Sequence, residues 1–239
     1  MKKILFSLVA LVCSMSMNAQ VMKVMKGNVV VATYTADQAD NVVFEEAQGS
    51  TTTGTAKATI GSSEVDVNWV QLWADGPKFA EYNVGVTDGR AESYGGYYCW
   101  GKSTDQEPNG NYKDGSDALT NTDDTAYDLW GSAWRMPRKD ELEALCNESN
   151  CTITWKNVNG VNGCEFTGKG DYASNSVFLP AAGYCYFGDV IGQGVSGVYW
   201  SSTPNGSDFA FDLYFYSGGQ SVYSVSRYFG FSVRAVLAE

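Results

Sequence analysis

Apolar residues fall in short runs punctuated by Gly and Asn, a pattern of strands and turns. Val21 to Glu46 reads as two β-rich stretches around Lys26-Gly27-Asn28, followed by Asn41-Val42-Val43-Phe44, so a hairpin plus a third short strand is expected. Such a unit is marginal by itself. Further on, Thr152 to Trp155, Ser176 to Leu179, Phe209 to Tyr216 and Phe231 to Val236 read as strands. One helix stands out. Pro137 suits a first helical turn, and Lys139 to Cys146 places Leu142, Leu145 and Cys146 on one face. A weaker helical turn covers Ala126 to Trp130.

These elements predict an α+β domain, rich in short antiparallel strands and loops with one or two short helices, behind a small β-rich leader. Residues 20–48 form that leader. Residues 49–63, rich in Thr, Ser, Gly and Ala with little to bury, read as a linker. The main domain spans 64–239.

Met1-Lys2-Lys3, the apolar run Ile4 to Val12 and the small residues ending at Ala19 have the layout of a secretory signal peptide, residues 1–19. The run is too short to anchor the chain across a bilayer, and no later stretch approaches the ~20 apolar residues that spanning requires. A secreted or cell-surface address is expected. The rival reading lipidates Cys13, but bulky Val12 stands where a small residue belongs.

The net charge of −11, more negative once Lys2 and Lys3 depart, argues against binding nucleic acid or anionic lipid. Histidine is absent, which removes His bases, His metal ligands and Ser-His or Cys-His nucleophile pairs. Cys99, Cys146, Cys151, Cys164 and Cys185 show no metal spacing. Cys146 and Cys151 are close enough in sequence for a bridge; isolated buried thiols are the other reading.

From Gly170 to Ala238 there is no Lys, Glu or Met, while Tyr, Phe, Ser, Gly and Asp accumulate. Evolved binding loops have this composition, with Tyr giving rigid contact area and Ser or Gly adaptability. Period-2 alternation from Asp208 to Tyr216 puts Phe209, Phe211, Leu213 and Phe215 on one face. The other face then shows Asp208, Asp212, Tyr214 and Tyr216 to solvent. With Tyr184, Tyr186, Phe187, Tyr223, Tyr228 and Phe229 they make up the expected ligand-binding set, for a glycan or protein ligand at a cell or phage surface.

Six ordered blocks carry a resemblance. They are Glu81-Tyr82-Asn83-Val84-Gly85, the run Tyr94 to Gly101, Trp134-Arg135-Met136-Pro137, Phe178 to Tyr184, Tyr199 to Pro204 and Gly230-Phe231-Ser232-Val233-Arg234. Residues 64–236 thereby resemble the Fibrobacter succinogenes major paralogous domain. The resemblance implies a C-type-lectin-like fold related to formylglycine-generating-type proteins. Trp100, Trp134, Pro180 and Trp200 are then scaffold, and Arg135 and Arg234 pair with carboxylates. Some proteins of this type resemble targets of diversity-generating retroelements. Their adenine-randomised codons yield the residue types found in 184–189, 207–217 and 223–229 beside scaffold residues.

Glu107-Pro108-Asn109 spells a calcium triplet of sugar-binding lectins, but it precedes the helix and lacks the Trp-Asn-Asp partner motif. Asp114, Asp117, Asp123 and Asp124 read as a solvated acidic loop; calcium ligation is the alternative. No metal or cofactor is expected. The functional expectation is a non-catalytic binding protein. Its alternatives are an adhesin or appendage subunit using residues 20–48 for assembly, and an enzyme of the formylglycine-generating type using Cys146 and Cys151. Export is tested first: mass spectrometry of the mature chain should find Gln20 as its first residue, and a diacylated Cys13 would overturn that cleavage.

Overall fold

The structure, a computed structural model, describes residues 21–26, 29–35, 51–106 and 110–238. Two units divide the chain, Met1–Ser50 and Thr51–Glu239. Within the first, β1 (Val21–Lys26) and β2 (Val29–Thr35) form an antiparallel pair from Val21 opposite Thr35 to Lys26 opposite Val29, with a register shift at Val24/Met25. The signal-peptide segment, Cys13, the third strand expected at Asn41–Phe44 and the Glu107-Pro108-Asn109 triplet lie outside the described residues.

The second unit runs β3 (Thr53–Ile60), β4 (Ser63–Gln71), β5 (Lys78–Ala80), α1 (Thr125–Trp130), β6 (Trp134–Arg135), α2 (Lys139–Leu145), β7 (Cys151–Val158) and β8 (Val161–Gly168). It continues through β9 (Ser176–Pro180), β10 (Tyr184–Tyr186), β11 (Asp189–Ile191), β12 (Ser196–Asn205), β13 (Phe209–Tyr216), β14 (Gly219–Ser226) and β15 (Val236–Leu237). A five-stranded sheet has the order β3-β4-β5-β15-β6; β7-β8-β9 and β12-β13-β14 are three-stranded; β10-β11 is a separate hairpin.

The α+β, C-type-lectin-like expectation is overturned. Strand makes up 45% of the described residues and the fold is β-sandwich-like. The reason lies in helix length. Both helices form where the apolar spacing put them, α2 burying Leu142 and Leu145 and α1 capped by the Asp124 carboxylate, but at six and seven residues neither covers a sheet face. Sheets therefore cover one another.

Local chemistry explains the turns and the missed strand. Asn159 and Gly160 both hold positive φ, 50° and 91°, and close the β7–β8 hairpin with Val158 opposite Val161. The presumed linker 49–63 contributes β3 instead, so the second unit begins before residue 64. Its small residues are fitted to large partners: Ala58 is buried, Lys57 O accepts the Trp134 indole N–H at 2.8 Å, and a Cβ on Gly54 would stand 2.7 Å from the Trp69 ring. The expected strand Phe231–Val236 is also divided. Phe231 bridges Tyr98, Ser232 bridges Tyr199, and β15 begins only at Val236.

The motif blocks supply the interior. Trp100, Trp134 and Trp200 are fully buried, and the other two indole N–H groups donate to Ser201 O and Tyr98 O, each at 2.8 Å. Arg135 makes the expected ion pair, with its two Nη atoms 2.8 and 2.6 Å from the Glu141 carboxylate. Arg234 corrects the other expectation. Fully buried, it donates to Asn83 Oδ1 (2.9 Å), Ala80 O (2.9 Å), Glu81 O (2.6 Å) and Phe178 O (3.0 Å), so dipoles rather than a carboxylate hold its charge. Burial lowers its pKa to about 10, leaving it protonated at neutral pH. Arg234→Met keeps apolar bulk but strands four acceptors. Its urea midpoint should fall by an amount worth about 3 kcal/mol or more, and an unchanged midpoint would show the guanidinium to be dispensable.

Candidate functional site

The β10 strand lies beside the C-terminal segment because Cys185 and Gly230 exchange two main-chain hydrogen bonds, Cys185 N to Gly230 O at 2.7 Å and Gly230 N to Cys185 O at 2.8 Å. A Cβ on Gly230 would come within 3.0 Å of the Cys185 Cβ, so glycine permits this approach. The pairing sets Tyr184 and Tyr186 against Phe229, with ring centroids 5.6 and 5.4 Å apart. Tyr228 and Phe187 extend the cluster at 6.0 and 4.7 Å from Tyr186, and Phe231 closes it at 5.9 Å from Phe229. Phe187 sits at φ 48°, a left-handed conformation unfavourable for a bulky residue, yet its ring is 49% exposed. With Gly188 at φ 90°, it makes the two-residue turn that closes the β10–β11 hairpin, where Tyr186 pairs with Asp189, and this turn is what holds the ring at the surface.

A second aromatic group lies on β13 and β14, with Tyr214 5.9 Å from Tyr216 and 6.2 Å from Tyr223. Between the two groups is a cavity of about 300 Å³. Tyr184, Phe229 and Phe231 wall one side; Tyr214, Tyr223, Ser224 and Val225 wall the other; Val198 and Asp212 complete the lining. Its surface is almost all carbon.

Asp212 is the exception and a correction to the expected exposed face. It lies in the middle strand of its sheet, opposite Trp200 on β12 and Tyr223 on β14, and is only 3% exposed. Its Oδ1 has no hydrogen-bond partner. Loss of solvation pushes its pKa up to about 7, and no neighbouring cation offsets that penalty.

The alternation along β13 is partly as expected. Leu213 and Phe215 are fully buried in the cluster that contains Phe166 and Tyr199. Phe209 is 46% exposed rather than buried, because that cluster ends at Leu213; Phe211 is capped by Lys139 Nζ, 4.6 Å from its ring centre. Ala210 and Tyr214, on the opposite face, join the tryptophan-rich cluster, so both faces of β13 are covered. Five of the ten expected residues thus line one cavity; Tyr186 and Tyr228 contact the lining Phe229, Tyr216 contacts the lining Tyr214, and Phe187 packs on Tyr186 and Tyr228. Asp208 does not belong. It lies in the exposed β12–β13 turn, where it accepts from Ser207 at 2.6 Å.

Sequence reasoning missed Val198, Ser224, Val225 and Phe231, of which Phe231 stood in a motif block read as framework. It also missed Arg227. That buried guanidinium donates to Phe209 O (2.9 Å), Lys113 O (2.8 Å), Gly115 O (2.7 Å) and Gly206 O (2.8 Å), and lies 4.0 Å from the centre of the Trp100 ring. It anchors the segment that presents Tyr228 and Phe229.

Other candidates are occupied by structural duties. A larger cleft of about 510 Å³ includes Glu81, Glu165 and Asn175, but Asn68 donates to Glu81 (2.7 Å), Lys156 to Glu165 (2.8 Å) and Asn175 to Gln71 O (2.7 Å). Asp124 accepts from Ala126 N, Tyr127 N and Met136 N, and Asp123 from Thr120 Oγ1. No group of three potential metal ligands occurs among the described residues. Cys146 and Cys151 are unbridged, and burial pushes both thiols, with Cys164, up to about 12. Thiols so perturbed carry almost no thiolate at neutral pH.

Fold and site together define a mostly β protein with a concave, aromatic-lined cavity. A family model described as a domain of unknown function, DUF8237, matches residues 155–236, from within β7 into β15, a stretch that holds every residue lining the cavity. No curated protein and no solved structure matches the chain. Among the described residues no helix is long and apolar enough to cross a membrane.

Asp212 makes stability depend on pH. Its folded pKa of about 7 lies above the ordinary value of 3.8, so the native state holds the proton more tightly. Stability is therefore lost as pH rises from 4 through 7, by on the order of 4 kcal/mol if the whole shift is realised. Urea unfolding at pH 4 and pH 8 should show a loss in the natural protein that Asp212→Asn escapes; parallel losses would contradict the desolvated carboxylate.

Proposed function

We propose that the chain is an exported, non-catalytic ligand-binding protein whose aromatic C-terminal site takes a glycan or protein ligand at a cell or phage surface. The observation that carries this reading is the cavity itself: aromatic walls, exposed flanking rings and one buried carboxylate oxygen without a partner. Groups left unsatisfied in a concave apolar site cost the free protein stability and are compensated when a ligand supplies the missing donor. Tyr186, Phe187, Tyr216 and Tyr223, each more than 40% exposed, supply rigid contact area around it. The absence of histidine and the suppressed thiols favour recognition over chemistry. Retroelement diversification of 184–189, 207–217 and 223–229 accords with this reading, since those segments supply most of the rings at the site. So does the resemblance of residues 64–236 to the Fibrobacter succinogenes major paralogous domain.

A glycan and protein array probed with the processed full chain tests the proposal. Tyr216→Ala and Tyr223→Ala should each weaken the leading interaction about tenfold or more, the usual effect of removing a central aromatic contact, with melting temperature unchanged. Equal binding by both variants would defeat it.

A further inference from the structure

We propose that the cavity at Asp212 receives a primary ammonium group carried on an apolar stem, the chemistry shared by a lysine side chain and a free alkylamine. This deepens the binding reading above and rests on it.

Three observations select that chemistry. First, Asp212 lines the cavity, is buried, and its Oδ1 accepts no hydrogen bond, so a ligand that reaches it must bring a donor. Second, the lining offers few other polar groups, chiefly the Ser224 hydroxyl and the phenols. A sugar would leave most of its hydroxyls facing carbon, each at the cost of desolvation without compensation. An alkyl stem has no such groups. Third, the walls are Tyr and Phe rings, whose electron-rich faces attract a cation, an attraction strengthened by desolvation.

Pairing of buried charges normally stabilises little, because both ions give up their water. Here the carboxylate is already dehydrated in the folded protein, a cost met on folding and visible as its raised pKa. The incoming ammonium loses only its own hydration and gains both the carboxylate and the rings. A quaternary ammonium fits less well, since it has no N–H to give to Oδ1.

The test is calorimetric titration of the processed full chain at pH 8 with pentylammonium, with 1-pentanol as neutral counterpart and with Nα-acetyl-lysine N-methylamide. One equivalent of pentylammonium should bind at least about tenfold more tightly than 1-pentanol. Asp212→Asn should abolish that preference, while Asp171→Asn, an exposed carboxylate outside the cavity, should retain it. Tighter binding of the capped lysine than of pentylammonium marks a polypeptide source, and the reverse order a free amine; either order sustains the proposal. Equal affinities for pentanol and pentylammonium, no binding of any probe, or an undiminished preference in Asp212→Asn would overturn it. The wider recognition reading is judged separately, by whether Tyr216→Ala and Tyr223→Ala lose the array ligand, so the two can fail independently.

Discussion

Carbonyl groups in loops and on strands that the sheets leave unpaired still need donors, and in this protein two buried guanidinium groups satisfy seven of them. Arg234 gathers Ala80 O, Glu81 O and Phe178 O with the Asn83 amide; Arg227 gathers Phe209 O, Lys113 O, Gly115 O and Gly206 O. Each binds segments more than 100 residues apart in sequence. The fork of donors on arginine suits this role, because one rigid group reaches several acceptors at fixed angles. No carboxylate is among these hydrogen bonds. The positive charge is spread over peptide dipoles, which are already held by the surrounding fold and give up little entropy on binding it.

That constraint sets the geometry of the aromatic cavity. Arg227 fixes the start of β13 and the turn before it, while the residues that follow it, Tyr228 and Phe229, turn toward β10. The paired hydrogen bonds between Cys185 and Gly230 fix the opposite wall. The cavity is therefore bounded by main chain tied at both ends, and its aromatic walls are held in place by the fold itself. Asp212 is held in the middle of a sheet with Trp200 and Tyr223 on either side, so its carboxylate stays out of water.

Much of the fold was legible locally. The apolar spacing announced α2, and the tryptophans of the motif blocks announced the interior. The linker reading failed at β3 because Ala56 and Ala58 are too small to register as a buried face, yet they fit beneath larger side chains. The fold class failed because it depends on what covers each sheet, and pairings such as β5 with β15, drawn from opposite ends of the unit, leave no local mark.

The sequence by itself determined the site's chemical character: no imidazole, an excess of negative charge, and a C-terminal third stocked with Tyr, Phe, Ser and Gly. It also named five of the residues that line the cavity. Only the tertiary structure decided that Asp212 is buried and Phe209 exposed, and that Asp208 stands apart. Alternation along a strand separates its two faces but says nothing of whether one or both are covered. Coverage is a property of neighbouring sheets, and on it depends whether a carboxylate is an ordinary surface charge or an unpaired acceptor inside an aromatic cavity.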